Sequence, residues 1–191
     1  MKRFISLALL MSLAVLQGCA SYSHNLQSEP TQWPLSSEKP TKAYLSVHAE
    51  YQLNDAAANS ITNITALENL VKKDLEESGY FSAVTTQKEA ADVYATVTLR
   101  NHEEGSMGLA FITGLSLFLI PGAFDNTYSV EMRFRDAEGN VIGKTSAQER
   151  VTTWMHLILL PAAPFARADI DETISILTKR ALEKAIQEKI I

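Results

Sequence analysis

The stretch VYATVTLR, residues 93–100, decides the fold class of this chain, because apolar and polar side chains alternate along it without interruption. This period of two residues is typical of a strand that is buried on one face only. The same period recurs over residues 43–50 and over residues 128–135, and the latter stretch runs into the turn sequence DAEGN at 136–140. The chain therefore forms a sheet with one apolar face, and a second layer must cover that face.

Two segments with helical spacing supply the covering layer. Apolar residues recur every three or four positions from Ile61 to Leu75 and again from Ile170 to Ala185. A capping-box pattern occupies residues 65–68 in the first segment, and another, residues 169–172, opens the second. Gly79 stands where a helix is expected to end.

A short strand at residues 81–86 and a returning strand at residues 141–153 complete the order β-α-β-β-β-β-α. We predict an α+β fold with a mixed, mostly antiparallel sheet of about five strands and two helices packed on one face. Residues 42–191 are long enough for a single domain with one core.

The amino terminus has the pattern of a secretion signal. Two basic residues precede an apolar run over residues 4–16, which is shorter than the roughly 20 residues that a permanent membrane span needs. The sequence LQGC, residues 16–19, resembles the lipobox of bacterial lipoproteins. This resemblance implies that residues 1–18 are a signal peptide cut between Gly18 and Cys19, and that Cys19 carries a diacylglyceryl thioether and an acylated (palmitate-type) amino group.

The lipobox resemblance has consequences for location and architecture. Cys19 is the only cysteine, so the mature protein retains no disulfide. Ala20 follows it where some lipoproteins carry Asp, which by resemblance to the sorting rule of enteric bacteria favours the periplasmic face of the outer membrane. The membrane is thus one expected partner. Residues 19–41 carry three prolines among polar residues, which predicts a flexible tether that only Trp33 can pin to the domain.

Two apolar inserts, residues 106–124 and 151–166, contain no charged side chain and do not alternate. Three interpretations remain open: the inserts complete the core, they form a surface for the membrane or an envelope protein, or residues 107–124 form a spanning helix. The second interpretation has seven candidate contact residues: Phe111, Leu117, Phe118, Trp154, Leu157, Leu159 and Phe165.

The expected strand directions place both inserts at one end of the sheet. Counting alternate directions from residue 43 onward brings the strands at 93–100 and 141–153 back to the end at which the tether enters. The anchor and both apolar inserts are therefore expected to share that end.

Composition and motifs argue against several classes of function. The formal net charge is −5 and no basic stripe is present, so nucleic-acid binding is not expected. His102-Glu-Glu lacks the second histidine of a zinc-protease helix, and no other pattern suggests a catalytic residue, a metal site or a cofactor. A rival class is a hydrolase or carrier for a lipid-like ligand, which would be favoured by a deep pocket between the inserts lined by Ser116, His156 or Glu149 within hydrogen-bond reach of one another.

One longer stretch points to a family of proteins. The sequence LEESGYFSAV, residues 75–84, followed by residues 91–93 at the start of a strand, resembles small Gram-negative outer-membrane lipoproteins. Their domain is similar to the amino-terminal domain of TolB. The resemblance implies a non-catalytic accessory protein of the cell envelope that acts by binding, and the alternative within the same class is a purely structural lipoprotein.

Overall fold

The computed structural model describes residues 19–24, 29–35, 37, 40–59, 63–162 and 169–191. Over these residues the chain forms seven strands, three α-helices and one 3-10 helix. The strands are β1 (Cys19–Ser23), β2 (Thr41–Leu53), β3 (Ala56–Ala58), β4 (Phe81–Thr85), β5 (Val93–Gly105), β6 (Gly122–Arg135) and β7 (Val141–Met155). The helices are α1 (Ile64–Glu77), α2 (Met107–Leu115) and α3 (Ile170–Gln187), and the 3-10 helix covers Leu157–Ala162.

All seven strands belong to one mixed sheet in the order β1-β7-β6-β5-β2-β3, with β4 paired to the first part of β2. The mixed α+β architecture and the mostly antiparallel pairing agree with the sequence-based expectation. The strand count does not, because β1 and β3 add two strands to the expected five. β3 is a three-residue strand of alanines and β1 lies in the expected tether, so neither shows the alternation that marks the others.

The direction of β5 differs from the expectation. β5 runs parallel to β2, with Val93 opposite Ala43 and Glu103 opposite Leu53. The reason lies in residues 86–92, which do not form a hairpin but carry the chain from β4, on one edge of β2, to β5 on the other. The amide of Asp92 donates to the carbonyl of Lys42 at 3.0 Å where the chain crosses. A crossover preserves strand direction, whereas a hairpin reverses it.

The described parts of the expected tether lie on the domain. Residues 19–23 form β1, which pairs antiparallel with the outer edge of β7. Trp33 and Leu35 pack against the hydrophobic core, and Thr31 donates to Glu183 of α3 at 2.9 Å. Trp33 therefore pins the segment as predicted, but the segment is not a free linker over these residues.

The core lies between α1, α3 and one face of the sheet. The largest fully buried side chains come from every layer: Phe134, Leu45, Leu75, Met132, Leu177, Leu182 and Val71. The alternation that predicted β5 is reproduced, since Ala95, Val97 and Leu99 are buried. Two helices on one face of the sheet are thus confirmed.

The structure confirms one of the two predicted helix caps and replaces the other. Asp169 caps α3 by accepting from the amides of Asp171 and Glu172, as its capping box predicts. α1 is instead capped by Asn63, which accepts from Ala66, so the expected cap at Thr65 is wrong. α1 begins two residues earlier because Asn63 is itself a preferred N-cap residue.

Gly79 adopts a φ of +70° directly after the last turn of α1. A Cβ there would lie 3.1 Å from the carbonyl oxygen of Leu35. We expect Gly79→Ala to lower the free energy of unfolding by about 1–2 kcal/mol, because a side chain is disfavoured at this φ. Urea unfolding measures the loss. Gly114→Ala is the matched control, since no heavy atom lies within 4 Å of a Cβ there; equal losses at both positions would contradict the argument.

A buried carboxylate joins α1 to α3. Asp74 is 2% exposed, accepts from Ser175 at 2.7 Å and lies 4.0 Å from the ammonium of Lys179. Burial raises the pKa of Asp74, and the Ser175 hydrogen bond and the Lys179 charge offset only part of that rise. The folded state therefore holds this proton more tightly than the unfolded state.

The sign of this pKa shift sets a pH dependence. The stabilisation from Asp74 is complete below the unfolded pKa and is lost as the pH rises through the folded pKa. The free energy of unfolding of the parent chain should therefore fall, relative to that of Asp74→Asn, as the pH rises from about 4 to about 7. Urea unfolding at both pH values measures the difference, and exposed Glu138→Gln serves as control. A variant whose relative stability is the same at both pH values would refute the prediction.

Candidate functional site

Both apolar inserts leave the sheet from the same end. β5 ends at Gly105, β6 begins at Gly122 and β7 ends at Met155, and the register places Gly122 opposite Met155. This is the end at which β2 finishes, not the end at which it starts, because β5 runs parallel to β2. The expectation that the inserts share an end is confirmed, and the end itself was wrongly assigned. We call residues 106–121 and 154–159 the apolar pole.

The first insert folds into a short helix and a tight return. Ser106 caps α2 by accepting from the amide of Leu109 at 3.2 Å, and the helix ends after nine residues at Leu115. Leu117 and Phe118 then take positive φ values, and the amide of Phe118 bonds back to the carbonyl of Thr113. The expected alternative of a spanning helix over residues 107–124 is wrong, because nine residues extend only about 14 Å. Within the described chain, no helix has both the length and the apolar character for a membrane span.

One buried contact packs the pole against the sheet, and one hydrogen bond joins its two inserts. Thr113 is fully buried, and its hydroxyl would lie 2.7 Å from a Cβ at Gly122, so a glycine is needed for this close approach. The amide of Leu157 donates to the carbonyl of Phe118 at 2.9 Å and so joins the second insert to the first. The two inserts therefore form one surface.

This surface is exposed. Within α2 only Thr113 is buried. Leu117 is 74% exposed and Ile158 is 78% exposed. The other exposed large apolar side chains of the pole are Met107, Leu109, Phe111, Ile112, Leu115, Leu119, Ile120 and Trp154. The alternative in which the inserts complete the core is therefore wrong for these residues.

The predicted contact residues divide into three groups. Phe111, Leu117 and Trp154 are exposed, as the surface interpretation requires. The partly buried members are Phe118, Leu157 and Leu159. Phe165, like Gly18 of the cleavage site, lies outside the described residues.

Sequence reasoning missed several of the most exposed side chains. Ile158 is not among the predicted contact residues, because an uncharged stretch without periodicity gives no sign of which residue points outward. Leu115 and Leu119 were missed for the same reason. The serine at 106, a preferred N-cap residue, was the one signal that could have located the start of α2.

β1 brings Cys19 to the pole. Cys19 pairs with Met155, the last residue of β7 and the neighbour of the second insert. Side-chain hydrogen bonds fasten β1 to β7: Ser21 with Thr153 at 2.8 Å, and Ser23 with Glu149. The proposed lipid-bearing residue thus lies at the same end of the sheet as the exposed apolar inserts.

Polar groups begin at the base of the pole, at Trp154, on the sheet face opposite the helices. The indole nitrogen of Trp154 donates to the hydroxyl of Tyr22 at 3.4 Å. One step farther along the strands, Asp125 accepts from Arg150 and Thr152. The hydrogen bonds from Arg150 first, and then from Thr152, hold the pKa of Asp125 below its usual range. Asp125 is therefore ionised at neutral pH.

The three residues of the rival hydrolase interpretation bond to other groups. Ser116 donates to the carbonyl of Thr113 and accepts from the amide of Ile120, each at 3.0 Å. His156 accepts from the amide of Ile158, and Glu149 accepts from Ser23. Among the described contacts, none joins Ser116, His156 and Glu149 to one another.

An apolar depression adjoins the pole beside β1. Its lining residues are Ala20, Tyr22, Pro121, Trp154, His156 and Leu159. The depression is shallow and open, and it extends the apolar surface toward the proposed anchor.

Comparison with known proteins yields structural likenesses only. No protein-family model matches the chain, and no curated protein matches it. A PelC variant dodecamer from Paraburkholderia phytofirmans aligns over 86% of this chain and 94% of its own, with 12% identity and a TM-score of 0.41. A minor lipoprotein from Acinetobacter baumannii aligns over 78% and 87%, with 14% identity and a TM-score of 0.33.

A third solved structure is a DUF4136 family protein from Bacteroides thetaiotaomicron. It aligns over 91% of this chain and 96% of its own, with 12% identity and a TM-score of 0.28. The expected resemblance to the TolB domain is not shown by these comparisons.

Proposed function

We propose that this chain is a lipid-anchored accessory protein of the cell envelope that acts by binding and not by catalysis. One observation carries the proposal: Cys19, in its lipobox-like sequence, lies at the same end of the sheet as the exposed apolar pole. An exposed apolar surface of this extent is typical of an interaction site. The pole is the surface through which the domain contacts the membrane or an envelope protein.

The proposed location is the periplasmic face of the outer membrane. The lipobox-like sequence and Ala20 support it. The diacylglyceryl group and the amide-linked chain would together bury enough CH₂ groups, at about 0.8 kcal/mol each, to make membrane attachment permanent. The anchor would therefore hold the pole at high local concentration beside its target.

Site-specific photo-crosslinking in cells tests the proposal. A photo-reactive phenylalanine is placed at Leu117, at Ile158 and, as control, at Glu138 in the exposed turn between β6 and β7 at the opposite end of the sheet. We expect adducts, to lipid or to protein, at the first two positions and not at the third. Adducts at Glu138 alone, or equal yields at all three positions, would overturn the proposal.

Leu117→Asp is expected to weaken the contact without unfolding the domain. The side chain is 74% exposed and the backbone has a φ of +52°, a conformation that Asp tolerates better than Leu. The free energy of unfolding should change by less than about 0.5 kcal/mol. The crosslinking yield at Ile158 should fall.

The matched control for Leu117→Asp is Val141→Asp. Val141 is also exposed and apolar, but it lies at the other end of β7. This variant should leave crosslinking at Ile158 unchanged. If Leu117→Asp clearly lowers the urea concentration at which the domain unfolds, compared with the parent chain, the Leu117 side chain belongs to the core and the surface interpretation fails.

A further inference from the structure

We infer that the apolar pole inserts into the membrane that holds the Cys19 anchor, with Trp154 and Tyr22 at the level of the lipid headgroups. This inference rests on the proposed function and deepens it by assigning the occupant of the pole. The character of the side chains changes in three steps with distance from the tip of the pole.

The outermost layer fits the hydrocarbon region of a bilayer. The apolar pole, residues 106–121 and 154–159, carries no Asp, Glu, Lys or Arg, and all of it except Trp154 belongs to this layer. The most exposed side chains of this layer are large aliphatic or aromatic ones, including Phe111, Leu117 and Ile158. Insertion is favourable for these side chains because their apolar area leaves water.

The next layer is aromatic and amphipathic. Trp154 lies on β7 and Tyr22 on the neighbouring β1, one row farther from the tip and opposite Thr152, and their side chains share a hydrogen bond at 3.4 Å. Trp and Tyr are enriched where a protein crosses the headgroup region, because each has an apolar ring and a polar atom. Ala20 and Ala123 flank Trp154 in the same row of the sheet, so no charged side chain shares that level on these strands.

The third layer is charged. Asp125 pairs with Thr152, one step of two residues below Trp154 on β7, and Glu104 lies opposite Asp125 on β5. Two residues along a strand cover about 7 Å, which is the approximate thickness of one headgroup region. Arg150 lies a further step away. Tyr22 lies in the same row as Asp125, opposite Thr152, so this row marks the water-side edge of the headgroup region, and the charged side chains begin there.

The anchor gives an independent measure of depth. A thioether-linked diacylglycerol holds its glycerol at the boundary between hydrocarbon and headgroups, so the sulfur of Cys19 must lie near that boundary. Cys19 pairs with Met155, the immediate neighbour of Trp154. The depth set by the anchor thus agrees with the depth set by the aromatic layer, an agreement that a protein partner would not require.

Fluorescence quenching in vesicles tests the assignment with the two tryptophans of the chain. The full lipidated protein is reconstituted in phosphatidylethanolamine–phosphatidylglycerol vesicles whose acyl chains carry bromine. Trp33→Phe leaves Trp154 as the single reporter, and Trp154→Phe leaves Trp33. Trp33 packs on the core beside Lys179, and the following residue, Pro34, approaches Gly79 at the opposite end of the domain.

We expect the brominated chains to quench Trp154 and not Trp33. The paired substitution Leu117→Asp with Ile158→Asp should abolish the quenching of Trp154 while the lipid anchor keeps the protein on the vesicles. If Trp33→Phe destabilises the domain, the loss of quenching on going from the parent chain to Trp154→Phe gives the same information.

The outcomes separate this inference from the proposed function. Unquenched Trp154 together with protein adducts at Leu117 would leave the binding function intact and show that a protein occupies the pole. Unquenched Trp154 together with self-association that Leu117→Asp abolishes would show that a second copy occupies it. Unquenched Trp154 without any adduct at the pole would overturn both the inference and the proposed function.

Discussion

Cys19→Ser is expected to abolish lipid attachment completely, because Cys19 is the only thiol of the chain and the proposed anchor is a thioether. The variant should incorporate no labelled palmitate and should be recovered in the soluble periplasmic fraction instead of the membrane fraction. The domain should remain folded, since Ser and Cys have similar size and the backbone pairing of β1 with β7 does not depend on the side chain. Metabolic labelling followed by fractionation measures both effects.

Ser21→Cys provides the matched control for the anchor. Added to Cys19→Ser, it restores a thiol two residues farther along the same strand, outside the lipobox-like position. We expect this double variant to remain unlabelled. Palmitate incorporation that persists in Cys19→Ser would contradict the lipobox interpretation. Persistent membrane association without palmitate would instead show that the apolar pole alone retains the protein.

Phe134→Ala is expected to lower the free energy of unfolding by about 3–5 kcal/mol. Phe134 is fully buried in the core on β6, and its removal leaves a cavity between the sheet and the helices. A loss of this size is a large fraction of the 5–15 kcal/mol that stabilises a typical domain. Urea unfolding should therefore show a much lower midpoint.

Phe111→Ala makes the same chemical change on the apolar pole. Phe111 is 67% exposed in α2, so its removal creates no cavity. We expect the free energy of unfolding to change by less than about 0.5 kcal/mol. Similar losses for Phe111→Ala and Phe134→Ala would show that α2 is packed in solution, and the membrane assignment would lose its basis.

Sequence patterns predicted the elements well where their signal is local. The alternation over residues 93–100 and the helical spacing over residues 170–185 both correspond to observed elements. Gly79 ends α1 with a positive φ, as its position predicts. In each case neighbouring residues, through steric limits and side-chain periodicity, fix the local conformation.

The relative direction of strands was harder to predict, because it depends on how the chain passes between elements. The polar segment 86–92 has the length of either a hairpin loop or a crossover, and the structure shows a crossover to β5. β1 was missed because residues 19–23 gain a partner only through pairing with β7, more than 120 residues away. The parallel direction of β5 moves the inserts to the end at which β2 finishes. The pairing of β1 with β7 brings Cys19 to that same end, so the anchor and the inserts still share one end of the sheet.

The sequence by itself determined the apolar face of the sheet, the two covering helices, the lipobox-like start and the absence of charge in the inserts. Only the tertiary structure decided that the inserts are exposed, that they form one surface and that Cys19 lies beside them. The physical reason is that burial and proximity depend on long-range strand pairing, whereas periodicity and charge are properties of the local chain.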